Sequence, residues 1–103
     1  MLDNFGGDTE LLKDLARLFI ADWPRHRAEL LAALGKADAG ALRAHAHSIK
    51  GSVSNFCAQH AMMRARELEF ACKAGDLSQA GAQVAGVLAA VEEMIAALRA
   101  EGG

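Results

Sequence analysis

The sequence predicts an all-α protein, built as an up-down-up-down antiparallel bundle of four helices. Apolar residues make up 52% of the 103 residues, with one proline, no tyrosine and few β-branched residues, and this composition favours helices over sheets. Aspartates stand where three of the helices would begin, and short connections between the helices favour antiparallel neighbours. The length is that of one domain, spanning residues 1–103.

Three aspartates mark helix starts. Asp8, Asp38 and Asp76 each precede a long run of apolar residues at helical spacing. A carboxylate at this position accepts hydrogen bonds from the free N–H groups of the first turn. The sequence therefore predicts that the first, second and last helices begin just after these residues.

The first helical arm, residues 9–36, is interrupted by a proline. Its apolar residues recur at three- and four-residue spacings, as expected for a helix with one apolar face: Leu11, Leu15, Leu18, Phe19, Leu30, Leu31 and Leu34. Pro24 removes one helical hydrogen bond, so the arm either kinks there or splits into two helices. We favour one kinked arm, with Trp23 as a packing anchor.

The remaining helices are predicted at residues 39–55, 58–74 and 77–100. On a helical projection of residues 39–56, one arc forms the core face and contains Leu42, Ala46, Ile49, Val53 and Phe56. The apolar stripe of the last helix comprises Val84, Val87, Leu88, Val91, Ile95 and Leu98.

Charge and cysteine content narrow the function classes. The formal net charge is −2 and no Lys/Arg block occurs, so we expect protein partners rather than nucleic acid. The apolar stretches are interrupted by charge before membrane-spanning length, and the N-terminus does not resemble a signal peptide, so we expect a cytoplasmic protein without a membrane segment. Cys57 and Cys72 form no ligand-like pattern, and we expect no disulfide.

The outward strip of the second helix carries the residues of interest. His47 lies opposite the core face, with Arg43 one turn before it, Lys50 and Gly51 one turn after it, and Ser54 two turns after it. A glycine within a helix costs about 1 kcal/mol relative to alanine. Because the core face does not require Gly51, its missing β-carbon is best explained as space for an approaching partner.

This arrangement suits phosphoryl transfer. A neutral imidazole carries a free lone pair near neutral pH and can attack a phosphoryl group, while Lys50 can compensate the charge of its oxygens. On these two residues alone, an ordinary surface histidine beside a solvated lysine remains the alternative. The chain has no Gly-rich phosphate loop, so we expect no ATP site, and no inward-facing Glu/His pairs that would indicate a metal or haem bundle.

Residues 46–52, AHSIKGS, resemble the signature of histidine-containing phosphotransfer domains, which is A-H-x-apolar-K-G-small around the phosphorylated histidine. The resemblance extends upstream to FGGDTELLKDLARLF and downstream through Asn55-Phe56, Ala58, Ala65, Leu68-Glu69 and Gly75-Asp76-Leu77, covering nearly the whole chain. Cys57 stands where the family commonly has a turn glycine, so we expect this turn to use Asn55 or another geometry.

The resemblance implies roles for individual residues. His47 would be the phosphoacceptor, Lys50 the phosphate-stabilising cation, and Gly51 the point where a receiver domain docks. Glu69, on the next helix, would hold Nδ1–H of the acceptor ring and present Nε2 outward.

The implied function is that of a monomeric phosphorelay carrier. It would accept a phosphoryl group from a receiver-domain aspartyl phosphate, supplied through a hybrid sensor histidine kinase, and pass it to a response regulator. It would need no cofactor of its own, since magnesium would belong to the partner receiver. The alternative is a non-catalytic docking module that binds a signalling protein without phosphorylation, with His47 as a contact residue.

Overall fold

The computed structural model describes residues 9–100, which form four α-helices and one short 3-10 turn. The helices are α1 (Thr9–Gly35), α2 (Ala39–Val53), α3 (Gln59–Lys73) and α4 (Ala80–Ala100), and the 3-10 turn spans Ser54–Phe56. Each helix packs on its sequence neighbours, and α1 also packs on α4, which closes the bundle. The predicted all-α four-helix bundle is confirmed.

Helix α1 runs through Pro24 as one element, so the alternative of two separate helices is wrong. The kink at Pro24 stays a prediction. Trp23 is buried, its ring stacks on Phe19 with centroids 5.9 Å apart, and its Nε1–H donates to Glu92 Oε2 on α4 at 3.4 Å. Its predicted role as a packing anchor is confirmed.

The apolar face of α1 is wider than the surface that its neighbours cover. Leu12, Ala16 and Phe19 are buried, whereas Leu11 and Leu18 are 43% and 65% exposed. Helical spacing identifies an apolar face, but it does not show how much of that face a neighbouring helix covers. Of the two exposed leucines, Leu18 lines a groove together with Ser52 and Asn55 at the end of α2.

One predicted helix cap is confirmed and one is wrong. The Asp38 carboxylate accepts a hydrogen bond from the Ala41 N–H at 3.1 Å and caps α2. Asp76 instead holds a turn, because its carboxylate accepts from the N–H and the hydroxyl of Ser78, at 3.1 and 2.6 Å. Helix α4 therefore begins at Ala80, three residues later than predicted. Asp8 lies outside the described residues.

The turn between α2 and α3 places Cys57 in the left-handed region, with φ 52° and ψ 33°. The expectation that Asn55 or another geometry replaces the turn glycine is therefore wrong, because the cysteine itself adopts the glycine-like conformation. A non-glycine residue in this region costs about 1–2 kcal/mol. Cys57 is exposed and Cys72 is buried, and the structure joins neither in a disulfide.

The core contains the five residues of the predicted arc, four on α2 and Phe56 in the 3-10 turn that follows it, and each is at most 2% exposed. Of the predicted stripe of α4, five residues are buried in the core and Leu88 is partly buried against it. By length and composition α4 is apolar enough to cross a membrane, with a mean hydropathy of 1.5. Two adjacent charged residues, Glu92 and Glu93, lie within this helix, so the expected interruption by charge is present. Its eight buried residues lie in the core of the bundle, where a core helix can be equally apolar.

Candidate functional site

The site is centred on His47, which points outward from α2 with 69% of its side chain exposed. Its Nδ1 lies 2.9 Å from Oε2 of Glu69 on α3. An ionised carboxylate only accepts hydrogen bonds, so Nδ1 is the donor. In the neutral ring, this assignment leaves the lone pair on Nε2.

Glu69 joins the histidine to a cation. Its second oxygen, Oε1, accepts a hydrogen bond from Lys50 Nζ at 2.8 Å. The pKa of the Glu69 carboxyl is held below its ordinary value, first by the hydrogen bond from Lys50 and then by that from His47, against burial, which raises it. The group is therefore ionised at neutral pH. Only 17% of the Glu69 side chain is exposed.

Helix packing brings these groups together. The contact between α2 and α3 is the most extensive in the bundle. His47, Lys50 and Glu69 each follow a fully or nearly fully buried residue in the chain, namely Ala46, Ile49 and Leu68. Because adjacent helical positions point about 100° apart, each functional side chain lies at the edge of the helix interface rather than within it.

Gly51 lies on the same exposed surface, and nothing in the protein occupies the space beside it. A β-carbon built at this position would have no atom within 4 Å, apart from its own helix backbone and chain neighbours. No described residue therefore requires glycine here. A glycine that costs helix stability without an internal packing reason is consistent with close approach by another molecule.

The other two predicted residues of the strip differ in their contacts. Ser54 is exposed and its hydroxyl donates to the Gly51 carbonyl at 2.6 Å, so it completes the last turn of α2. Arg43 is exposed, and within residues 9–100 it makes no side-chain hydrogen bond or ion pair. The structure thus gives Ser54 a local role and leaves Arg43 available on the surface.

The family model of the Hpt domain matches residues 14–101. The chain belongs to the Hpt domain family. Domains of this family are phosphotransfer carriers of two-component signalling rather than kinases, so the protein acts in phosphotransfer of that kind. They interact with response-regulator receivers in phosphorelays. No curated protein and no solved structure shows significant similarity to the chain.

Beside the histidine strip, this Hpt domain has a shallow groove between α1 and the end of α2. Its lining mixes apolar and polar side chains on both sides: α1 contributes Leu15, Leu18, Phe19, Asp22 and His26, and the end of α2 with the following turn contributes Ser52, Asn55 and Phe56. Leu18, the most exposed large apolar residue of the described chain, lies in this groove. A protein interface likewise combines an apolar centre with a polar rim.

Sequence reasoning found most of the site and missed one connection. It placed His47, Lys50 and Gly51 on one outward strip and expected Glu69 to contact the ring, and the structure has these residues there, with Lys50 partly buried at 31% exposure. It did not foresee the ion pair between Lys50 and Glu69. Among residues 9–100, no group of three His, Cys, Asp or Glu side chains could hold a metal ion.

Proposed function

We propose that this Hpt domain accepts a phosphoryl group on Nε2 of His47 from a receiver-domain aspartyl phosphate and passes it to a response regulator. The observation that supports this most directly is the hydrogen bond from Nδ1 to Glu69. It leaves Nε2 as the nucleophilic nitrogen of a ring that is 69% exposed.

The transfer step uses groups of this chain and of the partner. The Nε2 lone pair attacks phosphorus, the bond from phosphorus to the aspartate oxygen breaks, and its electron pair stays on the aspartate. The Lys50 ammonium, one turn from the ring, compensates charge on the phosphoryl oxygens. The carrier needs no cofactor and has no ATP-dependent kinase activity of its own; magnesium belongs to the acidic site of the receiver.

Docking uses the strip and the adjoining groove. Gly51 lets the receiver approach His47, and Arg43 and Ser54 contact it at the rim. Leu15 and Leu18 supply apolar contact area from α1. A surface of this kind fits a small, transient signalling interface. The protein acts as a cytoplasmic monomer that receives its phosphoryl group through a hybrid sensor histidine kinase.

The test is transfer of radiolabel from a phosphorylated receiver domain to the purified protein. The wild type is compared with His47→Gln and with the matched control His60→Gln, which alters another exposed histidine. Label on the wild type and on the control, absent from His47→Gln, lost in acid and retained in alkali, is the expected result. Equal labelling of His47→Gln would overturn the assignment.

A docking module that works without phosphorylation is the second candidate, since Gly51 and the groove would serve it equally well. Binding of a receiver to His47→Gln separates the two functions. A docking module retains both partner binding and the signalling output in this variant, whereas a carrier retains binding and loses all phosphoryl flux.

A further inference from the structure

The carboxylate of Glu69, which holds the ring of His47, would also face this ring after phosphorylation. The following inference rests on the proposed function. We propose that Glu69 keeps a proton on Nδ1 of phosphorylated His47 and thereby keeps the phosphoryl group transferable at neutral and mildly alkaline pH. Glu69 is in this respect a positioning residue for a proton, in addition to its contact with the unphosphorylated ring.

The chemistry of the ring explains why this proton matters. Attack by Nε2 of the tautomer with a proton on Nδ1 yields a ring that carries phosphoryl on Nε2, the proton on Nδ1, and a positive charge. When the bond from phosphorus to Nε2 breaks in this form, its electron pair returns to Nε2 and neutral imidazole leaves. If the proton has already gone to solvent, the same step must expel an imidazolate anion, which is a much poorer leaving group.

The geometry places the carboxylate on the required side of the ring. Glu69 Oε2 is 2.9 Å from Nδ1, the nitrogen that does not receive phosphoryl, so phosphorylation on Nε2 does not require this contact to break. Lys50 holds the other carboxylate oxygen at 2.8 Å, and it keeps the carboxylate ionised and oriented. An ionised carboxylate at this distance stabilises the positive charge of the ring that carries phosphoryl on Nε2.

The other charged groups near this surface are cations, which oppose retention of the proton. Arg43 and Lys50 lie on α2, and Arg66 and Lys73 lie on α3, one turn before and one turn after Glu69. Within residues 9–100, α1 contributes no ion pair to the ring, and Glu69 is the carboxylate that contacts it. Removal of its charge should therefore act on the ring without compensation from a second carboxylate.

The experiment uses phosphoramidate, which phosphorylates histidine without a protein partner. The wild type, Glu69→Gln and the control Glu67→Gln are phosphorylated, and the 31P signal that is absent from His47→Gln is assigned to position 47. Glu67 is half-exposed on the same helix and pairs with Arg64, so its substitution makes the same charge change away from the ring. Ring 15N shifts and the rate of phosphate loss are then measured against pH.

We expect the phosphorylated ring of Glu69→Gln to lose its Nδ1 proton about one pH unit lower than the wild type, because the amide can accept the hydrogen bond but carries no charge. Above both titrations, phosphate loss should be about tenfold slower in Glu69→Gln, while at acid pH the rates should agree. Glu67→Gln should follow the wild type throughout.

Coincident 15N titrations and rate profiles for wild type and Glu69→Gln would overturn the inference. If Glu69→Gln loses its helical circular dichroism, Glu69→Asp and Glu69→Ala are compared instead. The 15N titration and the rate profile of Glu69→Asp, which keeps a charge near the ring, should then lie closer to those of the wild type than the profiles of Glu69→Ala do. If the protein accepts phosphoryl from receivers but Glu69→Gln has the same pH profiles as the wild type, this inference alone is wrong. If the profiles of Glu69→Gln are shifted but no receiver transfers phosphoryl to the protein, the proposed relay function is wrong instead.

Discussion

Two surface clusters of this molecule contain the same three kinds of side chain: a histidine, a cation one turn later on its helix, and a carboxylate from the following helix. The first, which we name the phosphotransfer cluster, consists of His47, Lys50 and Glu69. The second, which we name the α3–α4 cluster, consists of His60, Arg64 and Glu93.

The clusters differ in where the cation binds. In the phosphotransfer cluster, Lys50 donates to the carboxylate, and Nε2 of His47 has no hydrogen bond from any residue in the range 9–100. In the α3–α4 cluster, Arg64 Nε donates to Nε2 of His60 at 3.3 Å, while Nδ1 lies 3.5 Å from Glu93. The Nε2 lone pair of the second ring is therefore held in a hydrogen bond, which makes this nitrogen a poorer nucleophile than Nε2 of His47.

Burial of the carboxylate also differs. The Glu69 side chain is 17% exposed, whereas that of Glu93 is 75% exposed. Solvent screens a contact to an exposed carboxylate much more than one to a half-buried carboxylate. The same residue types therefore produce a poised nucleophile in one place and a weak surface network in the other.

The cations should differ most in their effect on transfer. We expect Lys50→Ala to lower the rate of phosphoryl transfer from a receiver by about a hundredfold, because it removes the charge that compensates the phosphoryl oxygens. Arg64→Ala, the matched change in the α3–α4 cluster, should leave the rate within about twofold, since an exposed ion pair has little energetic effect. Both rates are measured by stopping the reaction with labelled receiver at timed intervals. An equal loss of transfer rate in the two variants would remove the distinction between the clusters.

The surface beside the phosphotransfer cluster should be sensitive to added bulk. Gly51→Gln should lower the transfer rate by at least about tenfold, while raising the free energy of unfolding by up to about 1 kcal/mol because glycine is replaced within a helix. Gly81, in the first turn of α4, also has no atom within 4 Å of a built β-carbon, so Gly81→Gln is the control and should transfer normally. Normal transfer by Gly51→Gln would show that the receiver does not approach closely there.

The carboxylate of the phosphotransfer cluster should stabilise the fold in a pH-dependent way. The folded pKa of Glu69 is below its unfolded value, so its contribution is present above the ordinary pKa of the group and is lost as pH falls through the lower, folded value. Glu69→Gln should therefore cost about 1 kcal/mol at pH 7, and this cost should disappear at strongly acid pH. Urea unfolding at neutral and acid pH measures this cost, and an equal cost at both pH values would contradict the prediction.

The smallest expected effect concerns the second histidine. In a His47→Gln background, Arg64→Ala should raise labelling of His60 by phosphoramidate by about twofold, because it removes one weak hydrogen bond from Nε2. Mass spectrometry of the labelled peptide measures the change. Unchanged labelling would mean that the Arg64 hydrogen bond is not what distinguishes the reactivity of the two rings.

The sequence predicted the inward and outward faces of α2 correctly because both depend on the helical period alone. It could not predict the start of α4, since Asp76 and Ser78 form a local turn that competes with a helix cap for the same carboxylate. Nor could it predict the conformation of Cys57, because the left-handed region is unfavourable for residues other than glycine.

By itself, the sequence determined the helical class of this Hpt domain, the buried stripes of its helices, and the exposed strip with His47, Lys50 and Gly51. These features follow from residue spacing, which is local information. Only the tertiary structure decided that one carboxylate of α3 holds both the ring and the lysine, and that the neighbouring leucines of α1 stay exposed. Both depend on the distance between two helices and on their relative position along the helix axes. Residue spacing within a single helix carries no information about either quantity.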